Sequence, residues 1–376
     1  MADINFVQIH TLHGYSAVLL NRDDSGLAKR ISYGGSTRTR ISSQCLKRHW
    51  RKAVGEHAFD GIDGAEAAVR SREVVTRRVV DPLKGDYPDD VVKTIGDAFQ
   101  MAVYGDKGAD RKSRQPLLLG SPEIAYLAHE ARRLAEESAD DAGRAATAAD
   151  NWRKEARANL KELREATTLP GGLVAALFGR MVTSDVEANI DAAVHVAHAF
   201  TVHEEESESD YFTVVDDLHR VEDDAGADHI GETELTSGLF YGYVVMDRGM
   251  LLDNLGGDTA MAEEVTRRLV HLIATVSPGA KLGSTAPYDF ASWVLVEAGN
   301  RQPRSLAEAF RRPCRPEVEA AEEALSRHLD RFDIAYGREE ERRAMSLTET
   351  PVPGADRLSV GALARWAGSA IGSGAA

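Results

Sequence analysis

Cysteine is nearly absent: Cys45 and Cys314 are the only two in 376 residues. Two are too few for a disulfide framework or a cysteine-rich zinc site, and the expectation is a cytoplasmic protein with reduced thiols. Long apolar runs are also missing. Stretches such as Leu269–Val276 (LVHLIATV) stop well short of the roughly 20 residues a membrane span needs. The start, MADINFVQIH, lacks the basic-then-apolar pattern of a secretory signal. No internal repeat stands out. Positive charge is in deficit overall, with a formal net charge of −15.

What is present is a folded composition, 43% hydrophobic against 28% charged, which excludes a disordered chain and leaves room for two or three structural units. The deficit of positive charge is reversed in one place. Between Asn21 and Ala53 nine cations (Arg22, Lys29, Arg30, Arg38, Arg40, Lys47, Arg48, Arg51, Lys52) face only Asp23 and Asp24. That segment carries +7 and leaves −22 for the rest. Such asymmetry points to a local anionic partner on a body that otherwise repels anions.

Hydrophobic patterning supplies the organisation. Ile4–Leu12 reads as a strand, followed by a loop with Gly34 and Gly35 and then a helix opened by Ser42 or Ser43, whose hydroxyl can cap the first amides. Leu46, Trp50 and Ala53 form its apolar stripe, while Lys47 and Arg51 lie on another face. Residues 59–191 read as a helical insertion with polar loops, Glu130–Ala166 as solvated helix. Val194–Val202 and Gly238–Asp247 read as strands, Ala260–Val276 as a helix and Ala291–Ala298 as a further strand. Without insertions the order is β-α-β-β-α-β, the α+β pattern of ferredoxin-like and RNA-recognition (RRM-like) folds. A second insertion, 203–237, carries YFTVV and HIGETEL as a β-hairpin. The expected domains are 1–58, 192–202 and 238–376 for the sheet unit, 59–191 for the helical insertion and 203–237 for the hairpin. The last dozen residues are expected to fray.

A solvated helix face accounts for basic residues alone, but small residues (Gly34, Gly35, Ser36, Thr37, Thr39, Ser42, Ser43) beside a helix start suit phosphates as well. No GK[ST] follows the glycines, so a Walker-type nucleotide loop is excluded and an extended polyanion backbone is preferred. The acidic runs His203–Asp210 and Val215–Asp228 read as solvated loop rather than nuclease metal ligands. His195 and His198 fall on opposite faces of a strand and read as sheet residues, not a metal pair. Tyr211–Phe212 is open between hairpin core and a base-stacking surface.

The segments NRDDSGLAKR, YGGSTRTRISSQCLKRHWRKA, LFGRMVTS (Leu177–Ser184), YFTVVDDL (Tyr211–Leu218), TSGLFYGY (Thr236–Tyr243) and SPGAK (Ser277–Lys281) closely resemble the CasC family, backbone subunits of the type I-E CRISPR surveillance complex Cascade. The resemblance runs from Phe6 to about Val296 and is looser over Ala65–Glu165 and the C-terminal part. It implies an RRM-like palm, helical fingers and a β-hairpin thumb. It also implies head-to-tail copies along a CRISPR RNA that pairs with a target DNA strand, beside large, small and RNA-end-binding subunits. The RNA backbone would meet Arg22, Lys29, Arg38, Arg40, Ser42, Gln44, Lys47 and Arg51. The regular kink in the RNA would involve Met181, Tyr211 and Phe212, although the family carries a tryptophan-like aromatic where Tyr211 stands. No catalytic site, cofactor or metal is implied. The alternative is a metal-dependent ribonuclease using Asp23 and Asp24; a nucleotide-binding enzyme lacks a complete motif.

Overall fold

The computed structural model describes residues 4–167, 169–182, 185–214 and 229–372. The acidic run Val215–Asp228, Thr183, Ser184 and residues 373–376 lie outside the described residues. The chain divides into two compact units, one of Met1–Ala58, His195–Met246 and Glu263–Ala376, the other of Phe59–Val194 and Asp247–Ala262. Asp247–Ala262, assigned to the sheet unit from the sequence, therefore groups with the helical residues.

The first unit is built on one large sheet. Its centre runs Trp293–Gly299, Phe6–Val18, His229–Asp247, Ala199–Thr201, which numbers the four pattern strands 4-1-3-2, the ferredoxin-like order. The neighbours Phe6–Val18 and His229–Asp247 run in opposite directions, with Thr236 bonded to Val18 at one end and Tyr243 to Gln8 at the other. Two further strands, Glu341–Ser346 and Ala355–Arg357, extend one edge; a hairpin of Arg30–Tyr33 and Ser36–Ile41 extends the other. The sequence reads Val194–Val202 as one strand, but it is two short ones, Val194–Val196 and Ala199–Thr201. Val202 donates to the Leu239 carbonyl and Ala197 to that of Tyr243, so the register slips by one residue between them, as at a bulge.

Both sheet faces are covered. Phe240 joins Tyr15, Ile41 and Leu46 on the side of the helix Ser43–Lys52. Its neighbour Tyr241 points the other way, into a cluster with Trp293, Phe310, Leu325 and Leu329, the last two from the helix Val318–Tyr336. The alternation follows from the period-two pleat. The C-terminal helix Val360–Gly372 packs against Phe6–Val18 and Trp293–Gly299. The expected fraying is therefore overturned as far as Gly372, because Leu363, Ala367 and Ile371 are fully buried.

A buried polar network fixes the sheet. Glu297 accepts two bonds from Arg304 (2.6 and 2.9 Å), one from Arg342 (2.7 Å) and one from His10 Nε2 (3.1 Å), which fills the capacity of a carboxylate. His10 Nδ1 accepts from the Tyr241 hydroxyl at 2.8 Å, and Arg342 grips Asp333 with both terminal nitrogens. Burial lowers the His10 pKa and keeps the ring neutral against the pull of Glu297. Burial alone would raise the Glu297 pKa, but the bonds from Arg304 and His10 outweigh it and hold the carboxyl well below its ordinary range.

The second unit is mostly helical, with helices Asp89–Tyr104, Ser121–Ser138, Ala142–Ala166 and Gly172–Phe178 and a small sheet of Ala68–Ser71 and Leu117–Gly120. The sequence reads Glu130–Ala166 as a solvated helix. It is two helices parted by the left-handed residues Ala139 and Asp140, and one side is buried through Leu134, Ala135, Ala145 and Trp152. Trp152 stacks on Phe99 at 3.8 Å, and Arg180 pairs with Glu123 at 2.6 Å inside the unit.

Breaking a buried charged network by removing one partner costs about 3–5 kcal/mol, so Glu297→Ala should lower unfolding free energy by that order in a denaturant titration. Since the folded pKa of Glu297 is depressed, its stabilisation is complete above its unfolded value of about 4.3 and is lost as pH falls through the lower folded value. The wild-type protein should lose stability on acidification and Glu297→Ala should lose less.

Candidate nucleic-acid interface

An ordinary RRM-like sheet stacks bases on aromatics of its open face. Here the sheet aromatic of that face is inside: Tyr241 is buried beneath Val318–Tyr336, with Phe310 of the short turn Ala307–Phe310 packed against it. Contacts to a polyanion must therefore come from loops, helix ends and edges of the first unit.

Asn21 gathers them. Its carbonyl accepts from the Lys29 amide at 2.9 Å and its Oδ1 from the Ser42 amide at 2.9 Å. The Lys29 carbonyl in turn accepts from the Arg40 amide at 2.8 Å. The loop holding Arg22 and Lys29, the strand holding Arg40 and the helix start are thereby pinned together. Spacing in the sequence did not single out Asn21; its one local signal is the turn-forming preference of asparagine. Ser42 is the cap: its Oγ accepts from the Cys45 amide at 3.3 Å, and the residue is nearly buried. It positions the helix and does not present a hydroxyl to the surface. Along the helix Gln44 and Arg48 are exposed and Lys47 and Arg51 partly so, while Trp50 is buried.

Arg38 is corrected outright. It is fully buried, and its guanidinium donates to the carbonyls of Thr201, His203 and Phe310, so it anchors the sheet edge. Gly34 and Gly35, expected in a phosphate-approaching loop, form the two-residue turn of the edge hairpin with φ of 63° and 87°. Two positive φ values in a hairpin turn demand such residues. Gly34 also lies so near the Arg311 backbone that a Cβ would sit 1.6 Å from its carbonyl oxygen.

Arg40 is partly exposed; its Nε donates to the Arg30 carbonyl and its Nη1 to His198 Nδ1 at 2.9 Å. Burial and the positive charges of Arg40 and Lys29 lower the His198 pKa, so a neutral ring accepts from Arg40. His195 and His198 are both exposed; His198 lies in the link between the two short strands, where the slip breaks the simple alternation expected of them. Burial likewise lowers the Lys47 pKa. Arg30 is already matched by Glu205 and Glu234, and Ser36 donates to Glu204 at 2.7 Å. Acids before the long hairpin and within it thus offset part of the basic edge.

The hairpin Glu206–Val214 with His229–Ser237 keeps one register throughout, Glu206 opposite Ser237 and Phe212 opposite Gly231. It continues the central strand His229–Asp247 without interruption. Tyr211 and Phe212 are 62% and 40% exposed and, as neighbours on a strand, stand on opposite faces; they are not a single aromatic pair. In the second unit Met181 is 76% exposed between buried Arg180 and Val182. Asp23 is occupied locally, its Oδ1 accepting from the amides of Ser25 and Leu27. Among the described residues, no three of His, Cys, Asp and Glu gather as a metal site, and no helix is long and apolar enough to cross a membrane.

The family model described as CT1975-like protein matches residues 7–365, and the chain belongs to that Cas family, in accord with the resemblance seen in its motifs. A chain from a "CRISPR RNA-guided surveillance complex, pre-nicking" superposes with a TM-score of 0.77 at 26% identity, over 97% of this chain and 100% of that one. A chain from a "CRISPR RNA-guided surveillance complex" has a TM-score of 0.59 at 21% identity, over 97% and 99%, and shares the fold. No curated protein matches.

Because Ser42 is the cap, Ser42→Ala should lower stability by about 0.5–2 kcal/mol in thermal or chemical unfolding. Ser43→Ala, one position into the helix, should leave it nearly unchanged. Equal losses in both variants would contradict the assignment.

Proposed function

Taking membership of the CT1975-like family as premise, we propose that this chain is a non-catalytic backbone subunit of a cytoplasmic type I-E CRISPR surveillance complex. It binds the guide RNA by its phosphates, stacks head to tail with further copies and presents the guide to a target DNA strand. The observation that carries this reading is the set Arg22, Lys29, Arg40, Gln44, Lys47 and Arg51, held at the surface around Asn21 and a helix start while the sheet face is closed. Cations and amides without base-edge geometry hold a backbone and ignore sequence. The 26%-identical chain comes from an RNA-guided surveillance complex, which supports this reading.

The long hairpin has a different character. Glu206, Glu208, Asp210 and Glu232 flank Tyr211 and Phe212, so phosphates are repelled there and an apolar side chain is the part able to meet a base. We assign Phe212 to the kink in the RNA and, independently of it, propose the exposed Met181 as a further apolar contact to the RNA; Tyr211, on the other hairpin face, is not placed with Phe212. Partners in this reading are the guide RNA, the target strand, further copies and the other Cascade subunits.

Affinity for single-stranded RNA should be indifferent to sequence and fall steeply with salt. Each phosphate neutralised contributes about 0.7 to the slope of log affinity against log salt, so Lys47→Ala with Arg51→Ala should reduce that slope by roughly 1.4. An unchanged slope would put the phosphate track elsewhere. A phosphate beside Lys47 would raise its lowered pKa, so binding takes up a proton at alkaline pH. Affinity should weaken as pH climbs toward about 10, the ordinary lysine value, and Lys47→Arg, which keeps its proton, should flatten that fall. Labelled RNA incubated with the protein and Mg²⁺ or Mn²⁺ should stay intact; regularly spaced cleavage lost in Asp24→Ala would sink the non-catalytic reading.

A further inference from the structure

Phe212 lies across its cross-strand partner. Gly231 stands directly opposite it in the hairpin, and a Cβ built on Gly231 would come within 2.3 Å of Phe212 Cζ and 2.7 Å of Cε2. The ring therefore occupies the space a side chain at 231 would fill, an arrangement in which an aromatic covers a bare glycine in a sheet. Gly231 is not at a positive φ, so the backbone does not require glycine there. The ring does.

A second group holds the same ring. The Lys281 ammonium lies 5.9 Å from the Phe212 ring centroid, at the outer reach of a cation–π contact, and donates to Thr233 Oγ1. Thr233 is two residues beyond Gly231 on the same strand and so shares its face, and it is nearly buried. Lys281 is itself placed by the backbone: the preceding amide, Ala280, donates to the Leu19 carbonyl at 2.9 Å. Leu19 is two residues before Asn21, the hub of the cationic track.

We infer that Gly231 and Lys281 are positioning residues that set the direction of Phe212 and tie it to the corner carrying the phosphate-binding cations. The inference rests on the assignment of Phe212 to the RNA kink and adds what aims it. Gly231 leaves the hairpin surface open so that the ring lies down across it; Lys281 and Thr233 limit how far the ring swings along the strand. Because Lys281 hangs from the segment that leads into Asn21, the apolar wedge and the phosphate track keep a fixed spacing, which a regular kink requires. Tyr211, on the other face with Glu232 opposite it, has no part in this arrangement.

Fluorine NMR tests the placement in the RNA-free full chain, with 4-fluorophenylalanine at 212 alone. Gly231→Ala and Lys281→Met should each shift the resonance, and Lys281→Arg, which keeps a cation over the ring, should bring it back toward the wild-type position. A resonance that moves in neither Gly231→Ala nor Lys281→Met overturns the inference. Should Gly231→Ala unfold the hairpin, Lys281→Met with its Lys281→Arg rescue decides alone. In the assembled complex with guide RNA and target DNA, permanganate reactivity of unpaired target thymines should lose its regular spacing several-fold in the two perturbing variants and regain it in Lys281→Arg. A shifted resonance with the periodic reactivity intact would leave the positioning in place and overturn the assignment of Phe212 to the kink.

Discussion

The carboxylate of Glu297 is the fixed point of the sheet unit. Its lone pairs are taken by Arg304, Arg342 and His10, and those partners reach Tyr241 on the central strand and Asp333 on the helix Val318–Tyr336. A buried charge is tolerable only when its bonding capacity is filled, so these elements are held in one arrangement. The helix over the sheet is thereby locked in place, and with it the closure of the face an RRM-like fold would otherwise offer to RNA. The location of the candidate interface at the rim follows from that closure.

The electrostatics of the rim are a remainder. Of the cations crowded between Asn21 and Ala53, Arg38 is consumed inside the sheet edge and Arg30 is matched by Glu205 and Glu234. The residues still at the surface are those pinned through Asn21 and the exposed side of Ser43–Lys52. Part of the acid surplus thus trims a broad positive region to a narrower one.

The long strand His229–Asp247 belongs at once to the sheet and to the acidic hairpin. A hairpin that continues a central strand inherits the register of the sheet, since a slip of one residue would turn every side chain to the other face. That is why Phe212 and Tyr211 have different surroundings although they are adjacent, and why the hairpin acts by shape where its charge forbids contact with phosphate.

The sequence by itself determined the β-α-β-β-α-β order, the helix opened by a serine, the hairpin 203–237 in outline, the helical character of the insertion and the site of the positive charge. Period, capping residues and local charge are all properties of neighbours along the chain. Tertiary structure alone decided the rest. Arg38 looks like any surface arginine until Thr201, His203 and Phe310 bring their carbonyls to it. Gly34 and Gly35 looked like a loop until the strands beside them paired. Val318–Tyr336 carried no sign of which surface it would cover, and Asp247–Ala262 none of which unit it would join. Periodicity says which side of an element is buried; it does not say against what, and polar side chains are satisfied by partners hundreds of residues away whose approach only the folded chain creates.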